Sequence, residues 1–252
     1  MATILLYHLY PINNWKEVTS ELFSYLPYEN IIVHVSLPDM AEERQAEVAS
    51  FLRQYPVDKV LYSPNSGKGE YDALLRFVKE CTFDGYDSLT YLHSKGVTKP
   101  DNPHIQNWRR LMYYFVVQRR ELIERAIRRG FVTYGINKTP VSREADGFRG
   151  SQFFYEGNFV SLNLRKVNLR EAVEQLLEND YYGVEGFWGK LCPDRLGFSP
   201  FNSGINHYRS SVSPDVYKSA LARWHYRVIK NFYQAKAYIL SKLRHASYPD
   251  KG

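Results

Sequence analysis

Over the first half of the chain, short apolar runs alternate with stretches of helical spacing. Thr3 to Tyr7, built on Ile4, Leu5 and Leu6, predicts a buried strand. Trp15, Val18, Leu22 and Phe23 then predict a helix that Asn13 or Asn14 can cap. The alternation repeats: a strand over Ile31 to Val35, a helix over Ala41 to Gln54, a strand over Lys59 to Tyr62 and a helix over Tyr71 to Cys81. A fourth strand, Ser88 to Leu92, leads into one long helix from Ile105 to Arg128. Four strand–helix repeats predict an α/β fold with a doubly wound, mainly parallel sheet and helices on both faces. Ligands of such sheets bind at the carboxyl ends of the strands, which directs attention to the loops after Tyr7, Tyr62 and Leu92.

The second half is less regular. Phe131 to Gly135 and Phe153 to Asn163 read as strands and Leu169 to Leu177 as a helix. Near the end, Leu221, Trp224, Val228, Phe232, Ala235, Ile239 and Leu243 make one apolar stripe of a long helix. The pattern divides the chain into an expected main domain over 1–210 and a basic, amphipathic helical extension over 211–252. Such a helix either packs its stripe on the domain, with its basic face in water, or lies on an anionic membrane as a peripheral contact.

Charge changes the picture chiefly at this tail. The net charge is +6, and seven Lys and Arg stand between Pro214 and His245 against one acid, Asp215. The basic excess thus lies away from the strand-end loops, and no nucleic-acid-binding module accompanies it, so nucleic acid is not an expected partner. Two distant cysteines, Cys81 and Cys192, form neither a disulfide scaffold nor a zinc motif. The first residues lack the basic and apolar regions of a signal peptide, and no run is long enough to span a bilayer, so the expected compartment is cytoplasmic, with the tail as the peripheral membrane element. Asn137-Lys138-Thr139 matches a glycosylation sequon that has no meaning without secretion. The 21 Tyr, 14 Phe and 4 Trp fit a binder of sugars or bases as well as they fit an aromatic core.

Two loops carry candidate chemistry. The segment Ser63-Pro64-Asn65-Ser66-Gly67-Lys68-Gly69-Glu70-Tyr71-Asp72 is Gly-rich and opens a helix, where backbone N–H groups hold phosphate, although it lacks P-loop spacing and is equally an ordinary strand-to-helix turn. The segment His93-Ser94-Lys95-Gly96 places a compact positive charge and a glycine at a strand end, a set suited to a diphosphate or to an exposed polar turn.

With Trp108-Arg109-Arg110 and Phe154-Tyr155-Glu156-Gly157-Asn158-Phe159, these segments stand in an order that resembles the bacterial and viral glycosyltransferase-like proteins related to the rhamnan synthesis protein F family. Those proteins show an Asn-x-Gly-x-Asp-like segment, a His-Thr/Ser-Lys-Gly segment, a Trp-Arg helix and an aromatic-Gly-Asn-Phe segment. The likeness covers roughly residues 1 to 200. It implies a GT-A fold and a nucleotide-sugar donor (a UDP-, GDP- or dTDP-sugar), transferred to a carbohydrate or glycolipid acceptor in surface polysaccharide or glycan synthesis. His8, Asn65, Gly69, Asp72, His93, Ser94, Lys95, Gly96 and Arg109 are then expected at the donor, and Tyr155, Glu156, Gly157, Asn158 and Trp188 at the acceptor.

The chain departs from most GT-A enzymes in having no Asp-x-Asp, the motif that holds a divalent metal after the fourth strand. His93-Ser94-Lys95 stands in its place, and a lysine can neutralise leaving-group charge as a metal does. No residue is assigned as a metal ligand, and manganese or magnesium is compatible with the site but not expected to be essential. Inverting GT-A enzymes need a carboxylate base, and Glu185, at a helix start in Tyr181-Tyr182-Gly183-Val184-Glu185-Gly186-Phe187-Trp188, is the candidate, with Asp180, Asp194 and Glu156 behind it. The competing expectation is a GT-A-like module that holds a nucleotide or glycan without turnover.

Overall fold

A computed structural model describes residues 1–141 and 147–246, with the side chains of all of these except 237 and 239–246. The strand–helix alternation is present. β1 (Thr3–Leu9), α1 (Trp15–Phe23), β2 (Ile31–Leu37), α2 (Glu42–Leu52), β3 (Lys59–Pro64), α3 (Tyr71–Glu80) and β4 (Ser88–His93) follow in order. β1, β2 and β4 are buried along almost their whole length, as parallel strands covered on both faces must be. At the start of α1, Asn14 makes no side-chain cap; Asn13, with positive φ, donates instead to the Val97 carbonyl at 2.6 Å.

The region expected as one helix is three. α4 (Pro103–Tyr113) widens into a π-helical turn over Tyr114–Gln118, stops at Arg119, and resumes as α5 (Arg120–Arg128). The Arg119 N–H reaches the Tyr114 carbonyl, five residues back, at 3.0 Å. Tyr114, Phe115, Val116 and Val117 are all buried, and the wider turn lets successive side chains enter one core where an α-helix would turn some outward.

The strand expected over Phe153 to Asn163 is also divided. β5 (Thr133–Gly135) and β6 (Lys138–Pro140) precede β7 (Phe153–Tyr155) and β8 (Val160–Asn163). Between β7 and β8, Gly157 and Asn158 both have positive φ (86° and 58°), which reverses the chain. β7 therefore pairs with β6 in a small antiparallel sheet, while β8 enters the main sheet antiparallel to β4. After α6 (Leu169–Leu176) and the short α7 (Gly183–Phe187), β9 (Gly197–Phe198) completes a seven-stranded, mainly parallel sheet of order β3-β2-β1-β4-β8-β5-β9. The fold is an α/β, Rossmann-like doubly wound sheet, with helices on both faces.

Strand alternation divides the core. Leu5, Tyr7, Leu9, Val33, Val35 and Leu92 face one cluster with α1, α2, α4 and α5; Ile4, Leu6, Ile32, Leu89 and Tyr91 face another with α3, α6 and α7. The sequon residue Asn137 is buried, accepting from the Ser203 N–H at 2.8 Å and contacting the His207 ring at 3.0 Å, so it is a structural residue.

The segment beyond residue 210 joins the core through Val212 and through Tyr217 of α8 (Pro214–Lys218), then continues as α9 (Ala220–Ala246). The side of α9 against the domain carries Arg223, Tyr226 and Lys230, which donate to the carbonyls of Tyr217, Ser203 and Asn202. The described part of the apolar stripe therefore points away: Leu221, Trp224, Val228 and Phe232 are 46–68% exposed, while Ile239 and Leu243 lie outside the residues whose side chains are described. Packing of that stripe on the domain is not what the fold adopts. No helix among the described residues is long and apolar enough to cross a membrane.

Candidate functional site

The strand order reverses direction between β1 and β4, and such a point opens a crevice at the carboxyl ends of the strands. A cleft of about 420 Å³ lies there, lined by His8 and Tyr10 at the end of β1, by Asn65, Gly67, Gly69 and Glu70 after β3, and by His93 to Lys99 at the end of β4 and beyond. Tyr181, Tyr182, Glu185 and Tyr208 close it from the second half of the chain.

The loop after β4 is held from below. The Ser94 N–H donates to the His8 carbonyl at 2.9 Å, and Ser94 Oγ accepts from the Tyr10 N–H at 2.9 Å. Arg109 donates to the Lys95 carbonyl at 3.1 Å and to Glu21 through Nε and Nη2 at 3.2 and 2.8 Å. Burial alone would raise the Glu21 carboxyl, but hydrogen bonds from Arg110 and Arg109 outweigh it and hold the group below its ordinary range. Gly96 has φ 96°, and a Cβ there would lie 3.1 Å from Arg109 Nη1. Arg109 thus lies buried beneath the loop and does not line the cleft, which corrects its expected phosphate contact.

Lys95 lies with Nζ 4.1 Å from the centre of the Trp108 ring, which stacks on His207 and meets Tyr208 edge-on. Burial lowers the Lys95 ammonium, and the nearby Glu185 and Glu70 carboxylates support its charge.

Two carboxyls face this lysine. Glu70 precedes α3; its Oε2 accepts from Asn158 Nδ2 at 2.6 Å and its Oε1 lies 3.4 Å from His93 Nδ1. Burial raises it to about 7, and the Tyr91 hydroxyl, Lys95 and Asn158 offset this only in part. His93 Nε2 lies 3.0 Å from the Gly157 carbonyl, so that nitrogen carries the proton and Nδ1 presents its lone pair to Glu70. Burial and Lys95 keep the ring neutral, down at about 3. A protonated Glu70 is the form that avoids setting a carboxylate against that lone pair. Glu185 is half-buried at the first turn of α7, with no hydrogen-bond partner among the described residues. Burial, then Glu70, raises it to about 7, against the pull of Lys95.

A second row crosses the sheet. His34, His8 and His93 are register partners on β2, β1 and β4 and share the face of Ile4 and Leu6. His34 meets Ser63 Oγ through Nε2 at 3.0 Å, whereas buried His8 has no partner at either ring nitrogen among the described residues and faces the cleft. Burial, then His34 and His93, holds His8 well below its usual value. Among the described residues no group of three or more His, Cys, Asp or Glu side chains is placed to hold a metal ion.

Of the expected donor residues, His8, Asn65, Gly69, His93, Ser94, Lys95 and Gly96 come together in the cleft, as does Glu185. Asp72 lies outside it, on the first turn of α3 near His34. The expected acceptor set is corrected. Trp188 is fully buried and donates through Nε1 to Asn158 Oδ1 at 2.6 Å, so it offers no stacking face. Asn158 is buried between Trp188 and Glu70. Gly157 is walled by Met112 and Trp108. Tyr155 turns into the core onto Thr133, and Glu156 accepts from Thr139 Oγ1 at 3.0 Å, away from the cleft. The left-handed pair at 157 and 158 explains this, because it folds the segment under the cleft. The residues that sequence reasoning missed are Glu70, Tyr10, Tyr181, Tyr182 and Tyr208. Only Glu70 carried a signal, as the lone acid between Gly69 and the helix start.

No family model matches the sequence, and no curated protein matches it. Solved structures of similar arrangement include CMP:2-keto-3-deoxy-manno-octonic acid synthetase complexed with CTP (8% identity, 82% of this chain and 92% of that chain, TM-score 0.42). Mouse xyloside xylosyltransferase 1 in its apo form is another (12% identity, 76% and 81% covered, TM-score 0.37). A third is 4-diphosphocytidyl-2C-methyl-D-erythritol synthase (13% identity, 86% and 97% covered, TM-score 0.39). At this distance the likeness carries no argument about chemistry.

Proposed function

We propose that the cleft transfers a sugar from a nucleoside diphosphate donor to a hydroxyl of a glycan or lipid-linked acceptor, with inversion at the anomeric carbon, and that residues 1–210 carry this activity. The observation that carries the reading is the grouping of Lys95 with Glu185 in one strand-end cleft. In this reading the acceptor oxygen attacks the anomeric carbon as its proton passes to Glu185. The bond from that carbon to the phosphate oxygen breaks, and the nucleoside diphosphate leaves with the electron pair.

Lys95, steadied on Trp108, neutralises the charge that develops on the leaving diphosphate. A base raised to about 7 suits proton abstraction near neutrality. The loop from Asn65 to Gly69 and the His93–Gly96 loop hold the phosphates, and His8 offers two unused ring nitrogens to the donor. Tyr181, Tyr182 and Tyr208, exposed at the rim, supply sugar-stacking faces in place of Trp188.

The test is turnover with a panel of UDP-, GDP- and dTDP-sugars, following the nucleotide product. Release of the nucleoside diphosphate is expected. Release of pyrophosphate from a nucleoside triphosphate would instead indicate nucleotidyl transfer. Saturable binding without turnover, across acceptors, would leave a non-catalytic nucleotide- or glycan-binding module.

A further inference from the structure

The outward stripe of α9 is an uncovered apolar face on a helix of unusual charge. The helix Ala220–Ala246 contains no Asp or Glu and six Lys and Arg. Leu221, Trp224, Val228 and Phe232 recur at three- and four-residue steps and are 68%, 50%, 46% and 64% exposed. The exposed basic residues Arg227 and Lys236 flank this stripe on opposite sides, while Arg223 and Lys230 are turned to the domain. We propose that α9 docks on an anionic membrane surface, lying in the interface with Leu221, Trp224, Val228 and Phe232 inserted and Arg227 and Lys236 against the lipid phosphates.

Three observations favour a bilayer over other occupants. The helix is long, but with six Lys and Arg it is not apolar enough to cross a membrane, which favours an in-plane orientation. A second copy seated on the same stripe would bring two acid-free basic helices together, with like charges along both flanks. An anionic lipid surface complements Arg227 and Lys236, and Trp224, on the stripe itself, is suited to the headgroup level. The docking is independent of what the strand-end cleft catalyses.

The experiment uses the full chain and vesicles of phosphatidylcholine alone or mixed with phosphatidylglycerol. Trp15, Trp108 and Trp188 are buried, so Trp224 is the exposed tryptophan and its emission reports insertion. Expected are flotation with the phosphatidylglycerol vesicles, weakening with salt, and a shift of emission to shorter wavelength that Trp224→Phe removes without abolishing flotation. Phe232→Glu alters an exposed side chain and should cut vesicle affinity about ten-fold or more. The pair Arg227→Glu and Lys236→Glu should do the same, at roughly five-fold or more per side chain. No flotation at low salt, or equal flotation on neutral vesicles without the emission shift, overturns the proposal. So does a dimer, seen by light scattering, that Phe232→Glu dissolves.

Discussion

Asn158 Nδ2 donates to Glu70 Oε2 at 2.6 Å, joining residues 88 positions apart in the chain. The bond exists because Asn158 adopts a left-handed conformation that Gly157 prepares, and because Trp188 Nε1 fixes the amide by donating to its oxygen at 2.6 Å. One buried amide thus orients a carboxyl at the base of the cleft. Second-half residues thus support from beneath a cleft whose lining comes mainly from first-half loops.

Gly157 tests this floor. Its φ is 86°, and an added Cβ would lie 2.5 Å from Met112 Sδ and 2.9 Å from Trp108 Cζ2. Gly157→Ala should therefore destabilise the chain by about 1–3 kcal/mol through strain and overpacking. Because Trp108 also carries Lys95, nucleotide affinity should fall with it. Urea denaturation showing wild-type stability would remove the turn from this account.

Glu70 makes a pH-dependent contribution whose sign can be worked out. Its carboxyl is raised from the ordinary 4.5 to about 7 in the folded chain. Between those values the native state holds more protons than the unfolded state, so stability falls as pH rises through that window. Glu70→Gln keeps the acceptor for Asn158, offers an N–H to His93 Nδ1, and cannot ionise. Relative to wild type it should be near neutral at pH 5 and more stable at pH 8, by on the order of 1–3 kcal/mol. Chemical denaturation at both values decides; parallel curves for the two proteins would show that Glu70 ionises without cost.

The strand–helix alternation was legible because burial on both faces writes continuous apolar runs at β1, β2 and β4. The cleft loops were legible for the same reason, since strand ends locate them. What was not legible depended on long-range partners. Nothing local to Trp188 says that its indole ends on Asn158, or that Arg109 is drawn under the loop by Glu21. The break at Arg119 was hidden because Tyr114 to Val117 read as good helix interior, and only the shared core requires the wider turn. The apolar stripe of α9 was visible, but its direction was set by Arg223, Tyr226 and Lys230 finding carbonyls on the domain.

Lys95 carries the donor expectation. Lys95→Ala leaves the Arg109 bond to the backbone at 95 intact, so the loop should keep its shape. A charge-assisted contact contributes roughly 1.5–3 kcal/mol, so nucleoside diphosphate affinity should fall about ten-fold or more. Calorimetry giving an unchanged affinity would take Lys95 out of the donor site.

With a lysine where Asp-x-Asp commonly stands, turnover is expected to survive chelation. Activity assayed after EDTA treatment, with manganese and magnesium added back, is the measurement. Abolition by EDTA and recovery with metal would mean that a cation, held largely through donor phosphates, takes the part assigned to Lys95.

The most exposed expectation concerns Glu185. Its carboxyl is raised to about 7, and a general base works only when ionised, so kcat/KM should climb as pH rises through about 7. Glu185→Gln keeps the shape but cannot take the proton. It should lower kcat by about 10²–10⁴-fold, abolish that limb of the pH profile, and leave donor affinity nearly unchanged. Glu70 is also raised to about 7, so the limb alone does not separate the two carboxyls. The pair of variants does: Glu70→Gln should keep the limb and Glu185→Gln should lose it. If the limb disappears in Glu70→Gln and persists in Glu185→Gln, the base is Glu70. If the product retains the donor's anomeric configuration, inversion fails, and a carboxylate of this cleft must act as nucleophile.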